Sequence, residues 1–215
     1  YETFGCFSLH PVKSIAMGEG GVVTTNDREL AELLRKLRSH GMTRDQDDWV
    51  NDKLAFETQA NESNTPNPWY YEMHDLGYNY RATDFQCALG LSQLGKLDQF
   101  CDRRRSLAHR YDVIFGQKEL QLKLMPVQQV GFSVSAWHLY AVLIDFKAIG
   151  KSRAQVMREL RNRNIGSQVH YIPVHMQPYY NQRYGLLDLP GAKEYYDRVL
   201  SIPLYPSLTD GEQDY

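Results

Sequence analysis

The stretch FSLHPVKSIAMGEGGVVTTND, residues 7–27, sets one lysine, Lys13, between an apolar run and a cluster of glycines. Residues 4–9 before the lysine and residues 21–25 after it have the short apolar composition of strands. Glycine gives the chain between them the freedom to reverse direction. The glycines concerned are Gly18, Gly20 and Gly21. The pattern therefore predicts two strands joined by a turn-rich connection that carries Lys13.

Two interpretations of Lys13 are open from the residues alone. Most lysines are solvated, so the simpler one is a surface amine in a loop. The surroundings of Lys13 favour the other interpretation, because an amine among apolar side chains loses hydration and its neutral form becomes a nucleophile towards carbonyls. The apolar neighbours in sequence are Cys6, Phe7, Leu9, Pro11, Val12, Ile15 and Met17.

Further along, Asn26 or Asp27 is expected to cap a helix with leucines at i, i+3, i+4 and i+7, and this helix should end near His40 and Gly41. Residues 43–68 are polar and contain two prolines, which predicts a long surface loop.

The spacing Thr83-x-x-Gln86 is a capping box that predicts the start of another helix. A bend is expected at Gly95, followed by a further helix to about Phe115. The side chains of the first of these two helices that we expect to face inward are Phe85, Ala88, Leu89 and Leu94.

The remaining sequence mixes strands and helices. Residues 137–146 predict a strand, Ser152-x-x-Gln155 begins a helix that ends near residues 164–166, and residues 190–200 form a short helix. Thr209-x-x-Glu212 is a last capping box near the end of the chain. On this pattern alone the fold class is α/β or α+β.

Composition excludes several classes of protein. The 215 residues are 42% hydrophobic and 23% charged, and the net charge of −2 does not favour nucleic acid or an anionic membrane as a partner. No run of about 20 apolar residues suggests a membrane span. The three cysteines, Cys6, Cys87 and Cys101, suit a reducing cytoplasm better than a disulfide framework.

The sequence opens at Tyr1 rather than at methionine, and it closes just after a capping box that should open a helix. We expect from this that both ends are cut or that flanking residues are not shown.

Several blocks of the chain resemble the DegT/DnrJ/EryC1/StrS family of pyridoxal-phosphate-dependent nucleotide-sugar aminotransferases. The resemblance begins at the Lys13 stretch and covers nearly all of the chain in the order of the family. The other blocks are LRSHG (37–41), LGYNYRATDFQCALGLSQL (76–94), WHLY (137–140), GSQVHYIPVHMQPYY (166–180) and LSIPLYPSLTD (200–210). The wording HYIPVHMQPYY is most similar to the branch that makes UDP-4-amino-4,6-dideoxy-N-acetyl-altrosamine on the pathway to pseudaminic acid.

The resemblance implies a role for particular residues. Lys13 would hold pyridoxal 5'-phosphate as a Schiff base and move a proton during the reaction. The hydroxyl of Ser8 would bind the cofactor phosphate, and Asn79 would reach the phosphate in the site of the partner subunit, so the active unit would be a homodimer. The candidates for the nucleotide-sugar pocket are His170, Tyr171 and His138.

The fold implied by the resemblance is a truncated fold type I transferase of the α/β class. Residues 1–95 would be the end of the large cofactor-binding domain and residues 96–215 the small carboxyl-terminal domain. The reaction would convert a nucleotide-linked 4-keto-6-deoxy sugar to the amino sugar, with glutamate as the amino donor, in the cytoplasm.

The chain also departs from the family. The family's large domain begins well over a hundred residues before the lysine and supplies a carboxylate for the pyridine nitrogen, an aromatic side chain against the ring and further phosphate donors. Because these groups do not precede Tyr1, we expect the chain alone to lack part of the site.

Other functions compete with this one. A non-catalytic remnant could keep the dimer surface and bind no cofactor. Sugar dehydration is another alternative, although relatives with that activity tend to replace the lysine with histidine. The spacing of His170 and His175 without a carboxylate or cysteine cluster does not favour a metal site. Residues 103–105, three arginines, are expected to form a solvated helix face.

Overall fold

The computed structural model describes residues 3–57, 65–117, 120 and 123–215. The chain divides into two compact units, Tyr1–Leu94 and Gly95–Tyr215. The assignment of these units to a cofactor-binding domain and a small domain stays a prediction.

The first unit begins with the two predicted strands. Strand β1 (Gly5–Ser8) pairs antiparallel with β2 (Gly21–Thr24), with Gly5 opposite Thr24 and Ser8 opposite Gly21. Most side chains of both strands are exposed. The hairpin thus places the Lys13 connection at the end where Ser8 and Gly21 pair.

The predicted helix after the hairpin is α1 (Arg28–Leu37). Of the two predicted N-cap residues, Asn26 and Asp27, the helix is capped by Asp27, whose carboxylate accepts the backbone N–H of Leu30 at 3.0 Å. The helix ends slightly before the expected residues, and the chain then turns through His40 and Gly41, which have φ angles of 63° and 70°.

The prediction of a plain loop over residues 43–68 is wrong for the part that the structure describes. Residues 43–57 contain the end of β3 (Met42–Thr43), a 3-10 turn at Gln46–Asp48 and helix α2 (Asp52–Ala55). Ala55 is fully buried. Residues 58–64 lie outside the described residues, so the middle of the predicted loop is not assessed.

Residues 43–57 are held in this structure by a carboxylate of β4 (Glu72–Met73), a strand that pairs with β3. Glu72 accepts backbone N–H groups of Val50 at 3.0 Å and Asn51 at 2.8 Å. It also accepts the Tyr70 hydroxyl at 2.7 Å and hydrogen-bonds His74 Nε2 at 2.6 Å. One buried charge therefore ties the polar segment to the β3–β4 ladder.

These bonds shift two pKa values in opposite directions. The hydrogen bond from His74, with those from Tyr70 and the backbone, lowers the pKa of Glu72 to about 2. Burial and the hydrogen bond to Glu72 raise the pKa of the Tyr70 hydroxyl to about 12. Both shifts mean that the folded protein favours a charged Glu72 carboxylate beside a neutral Tyr70 phenol.

The Glu72 pKa predicts an acid-dependent loss of stability. Because the folded-state pKa of about 2 lies below the ordinary 4.5, the contribution of Glu72 is complete above pH 4.5 and is lost as the pH falls towards 2. We expect Glu72→Gln to flatten this part of the profile of unfolding free energy against pH. Urea unfolding at a series of pH values measures it, and parallel profiles for the two proteins would contradict the role of Glu72.

Helix α3 (Asp84–Leu94) confirms the predicted capping box at Thr83 and Gln86. The backbone N–H of Gln86 donates to Thr83 Oγ1 at 3.3 Å, and the backbone N–H of Thr83 donates to Gln86 Oε1 at 2.9 Å. The prediction of inward-facing side chains is wrong, since no residue of α3 is buried. Phe85 is 90% exposed. The sequence marks the face as apolar, but the described residues of this unit do not cover it.

The second unit begins with α4 (Leu97–Phe115), as predicted after the bend at Gly95. Strands β5 (Leu124–Pro126), β6 (Tyr140–Ile144) and β7 (Val199–Ile202) form an antiparallel sheet in the order β5-β6-β7. Side chains from α4, the sheet and the segment after β7 make the core of this unit. The buried members are Leu107, Ala108, Tyr111, Tyr140, Val142, Ile144, Leu200, Leu204 and Leu208.

The other predicted elements of the second unit are present with shifted ends. Strand β6 is shorter than predicted, since it begins at Tyr140. The predicted helices are α5 (Arg153–Asn162), α7 (Pro190–Arg198) and α8 (Asp210–Asp214), and helix α6 (Pro178–Tyr184) was not predicted. The capping boxes that begin α5 and α8 are both formed, at Ser152 and Thr209. A 3-10 turn covers Val174–Met176.

The prediction of a solvated arginine face on α4 is wrong for Arg104, which is 5% exposed. Its Nη1 donates to the carbonyls of Trp137 at 3.1 Å, His138 at 3.2 Å and Leu204 at 2.9 Å. Desolvation lowers the pKa of Arg104 from its ordinary value. Arg104 therefore ties the segment before β6 to the segment after β7, which a solvated side chain could not do.

Among the helices that the structure describes, none has both the length and the apolar character that crossing a membrane would require.

Candidate active site

The connection between β1 and β2 is closed at its neck by backbone hydrogen bonds. The Leu9 N–H donates to the Gly20 carbonyl at 3.0 Å, and the Met17 N–H donates to the Leu9 carbonyl at 2.9 Å. Within this closed segment, the Lys13 N–H donates to the His10 carbonyl at 2.9 Å and makes a tight turn. The glycines at the end of the connection therefore lie where the chain reverses direction, as the sequence predicts.

Lys13 is half-buried rather than enclosed. Of the apolar neighbours in sequence, Met17 is 4% exposed, whereas Phe7 and Val12 are each 57% exposed. Among the residues that the structure describes, no carboxylate pairs with the Lys13 amine. The apolar surroundings expected from the sequence are therefore only partly present among the described residues.

Ser8 lies at the start of the same connection. Its Oγ accepts the His10 N–H at 3.5 Å, and His10 Nδ1 accepts the Val12 N–H at 3.2 Å. On its other side, His10 Nε2 lies 3.4 Å from a Glu19 carboxylate oxygen. The structure thus brings Ser8 and Lys13 onto one folded segment, through His10, whose role the sequence did not indicate.

Asn79 lies on a different segment, held against the end of α1. The residues on either side make the attachment: the Tyr78 N–H donates to the Leu37 carbonyl at 2.7 Å, and the Tyr80 N–H donates to the Arg38 carbonyl at 2.9 Å. Asn79 itself forms an antiparallel bridge with Ser39 and is exposed. Its backbone is therefore fixed while its carboxamide is open to solvent.

Two glycines allow this attachment. A Cβ on Gly41 would lie 1.8 Å from the Asp75 carbonyl oxygen, and a Cβ on Gly77 would lie 2.2 Å from the Gly41 nitrogen. Only glycine fits at such distances. The blocks LRSHG and LGYNY thus meet backbone to backbone, which gives a physical reason for the glycine in each.

The second unit contains the predicted sugar-pocket residues. His170 Nδ1 lies 2.8 Å from Ser201 Oγ, and the His170 ring meets the Tyr171 ring edge to face at 4.5 Å. The peptide bond between these two residues is cis, and Tyr171 is 69% exposed. His138 lies before β6 and is half-buried. Ser201, which touches His170, was not a candidate from the sequence because 31 residues separate the two.

Within the described residues, no group of three or more histidine, cysteine, aspartate or glutamate side chains is placed to hold a metal ion. His175 lines an apolar cavity with Tyr180, Tyr184 and Leu187. This placement is that of a pocket-lining side chain.

The comparisons with known proteins agree on one family. The model of the DegT/DnrJ/EryC1/StrS aminotransferase family matches residues 1–215. The chain is 40% identical over 212 residues to the spore coat polysaccharide biosynthesis protein SpsC of Bacillus subtilis, covering 97% of this chain and 50% of the relative.

Solved structures give the same result. Helicobacter pylori PseC, an aminotransferase involved in the biosynthesis of pseudoaminic acid, matches with a TM-score of 0.82 and 29% identity, covering 100% of this chain and 51% of PseC. The sugar aminotransferase Spr1654 of Streptococcus pneumoniae in its PLP form matches with a TM-score of 0.77 and 26% identity, covering 99% and 49%. The chain spans about half the length of these relatives, and it has the fold of the corresponding part of a PLP-dependent aminotransferase. The chain belongs to the DegT/DnrJ/EryC1/StrS aminotransferase family.

Proposed function

We propose that the protein transfers an amino group, with pyridoxal 5'-phosphate as cofactor, to the keto group of a nucleotide-linked 4-keto-6-deoxy sugar. The observation that carries this proposal is the family match over all 215 residues. Within it, the stretch that contains Lys13 folds into a closed connection in which the lysine is half-buried. The names of SpsC and PseC connect those relatives with sugar biosynthesis, which supports a sugar as the substrate class.

The donor set of the first unit fits the proposed cofactor. An aldehyde requires an amine, which Lys13 offers without a competing carboxylate among the described residues. A phosphate requires hydrogen-bond donors, which the Ser8 hydroxyl and the Asn79 carboxamide can supply. Pyridoxal phosphate, when bound, supplies an electron-withdrawing ring that makes a neighbouring carbon–hydrogen bond acidic.

The chain's own residues then have separate tasks. Lys13 holds the cofactor and, when free, carries the proton between carbon and nitrogen as a general base. Ser8 binds the phosphate of the cofactor held in its own subunit. Asn79, with its fixed backbone and exposed carboxamide, binds the phosphate of the cofactor held in the partner subunit of a homodimer. His170, Tyr171 and His138 bind the nucleotide sugar. Glutamate is the proposed amino donor.

The proposed setting is the cytoplasm. All three cysteines, Cys6, Cys87 and Cys101, are free, and two of them are exposed, which suits a reducing compartment.

The test uses the purified protein expressed from its whole reading frame. We expect added pyridoxal phosphate to give a bound near-visible absorption band, glutamate to discharge that band, and a UDP-linked 4-keto-6-deoxy sugar to restore it while the amino sugar forms. The absence of any bound band would favour the non-catalytic remnant. A band discharged and restored by dehydration of the sugar, without amino sugar, would favour the dehydratase.

A further inference from the structure

The Lys13 connection, residues 9–20, is held by helix α3 through a side chain that the proposed chemistry does not use. Gln86 Nε2 donates to the Glu19 carbonyl at 2.7 Å, across 67 positions of sequence. The Oε1 atom of the same carboxamide accepts the Thr83 N–H at 2.9 Å. Gln86 therefore uses its acceptor to cap α3 and its donor to hold the connection.

A packing contact accompanies this hydrogen bond. Met17 is 4% exposed and is the most buried residue of the connection. A Cβ on Gly90 of α3 would lie 3.2 Å from Met17 Cβ, and a Cβ on Gly20 would lie 2.6 Å from Met17 Sδ. Met17 is thus enclosed between the end of the connection and the helix one turn after Gln86.

The backbone of the connection passes these constraints to Lys13. The Leu9–Gly20 and Met17–Leu9 hydrogen bonds close the segment, so a displacement at Glu19 or Met17 moves the whole of it. We propose that Gln86 is a positioning residue that sets the placement of the Lys13 amine by holding the connection against α3. This inference rests on the proposed role of Lys13.

Gln86→Glu separates the two uses of the side chain. A glutamate at this position keeps the capping box, since its oxygen can accept the Thr83 N–H, but it has no donor for the Glu19 carbonyl. Thr83→Val is the control, because it weakens the cap of α3 and removes the Thr83 hydroxyl bond to Gln86 Oε1, while the Thr83 N–H still orients the carboxamide and the Gln86 donor stays in place.

Two readouts follow Lys13 itself. The first is the rate at which an amine-acylating reagent modifies Lys13 in cofactor-free protein, mapped by mass spectrometry and referred to exposed Lys53. The second is the dissociation constant of pyridoxal phosphate. In Gln86→Glu we expect a roughly three- to tenfold faster modification of Lys13 and a roughly three- to tenfold weaker cofactor affinity, the effect of one lost hydrogen bond. Both values should stay near wild type in Thr83→Val.

The inference is overturned if Gln86→Glu leaves both readouts at wild-type values, or if Thr83→Val changes them equally, since a loss of helix stability would then account for the result. The proposed function fails separately, when Lys13→Ala binds the cofactor as tightly as wild type. In that case the rate of Lys13 modification still reports whether Gln86 holds the connection.

Discussion

Replacing Lys13 with alanine is expected to abolish the absorption band of the covalently linked cofactor, leaving only that of the free aldehyde, and to reduce amino transfer by roughly 10²–10⁴-fold, the range for loss of a general base. The amine is the only group of the side chain that can condense with an aldehyde, and no neighbouring lysine shares the closed connection of residues 9–20. Absorption spectra at increasing concentrations of pyridoxal phosphate, with turnover of the keto-sugar substrate, measure both effects.

Two further variants test whether the effect needs the amine of Lys13 itself, and not merely a positive charge at this position or any lysine of the chain. Lys13→Arg keeps a positive charge but cannot form the covalent link at neutral pH, because the guanidinium stays protonated. It should also lack the band. Lys53→Ala removes an exposed amine of α2 and should behave as wild type. A band of wild-type intensity in Lys13→Ala would remove Lys13 from the site, and borohydride reduction with peptide mapping would show which amine replaces it.

The parts of the fold that local chemistry specifies could be predicted from the sequence. The three capping boxes, which begin at Thr83, Ser152 and Thr209, all form because each needs only residues three positions apart. The β1–β2 hairpin and its glycine-rich connection follow for the same reason, since strand composition and turn residues are read within a few positions.

Features that depend on distant residues could not be predicted. Arg104 lies in one run of arginines with the partly buried Arg103 and Arg105, but its guanidinium reaches three carbonyls from two distant segments. The order in residues 43–57 depends on Glu72, which lies about twenty positions away. The sequence predicted that Phe85 of α3 faces inward, yet the described residues of the unit leave it 90% exposed.

The candidate site shows the same division. The resemblance to the family indicated Lys13 and Ser8, and the structure places them on one folded connection. The sequence did not indicate that Gln86 reaches Glu19, because the capping box already accounted for a glutamine at this position. A side chain with one recognised task can thus have a second that only the folded structure shows.

Gly41→Ala is expected to destabilise the first unit by about 2–5 kcal/mol. The residue has a φ of 70°, where a non-glycine residue costs about 1–2 kcal/mol, and overpacking adds about 1–3 kcal/mol. The added Cβ would lie 1.8 Å from the Asp75 carbonyl oxygen, which belongs to the backbone and cannot rotate away. The segment carrying Asn79 must then move off the end of α1. The urea midpoint, compared at an unchanged slope, measures the loss.

Gly18→Ala measures the backbone strain alone, so the difference between the two variants isolates the steric part of the effect. Gly18 lies in the same unit with a φ of 83°, but a Cβ there would meet no atom within 4 Å. It should therefore cost only about 1–2 kcal/mol, the left-handed strain alone. Equal losses in the two variants would mean that the LRSHG and LGYNY blocks can separate without cost, and the close backbone contact would then not be what fixes Asn79.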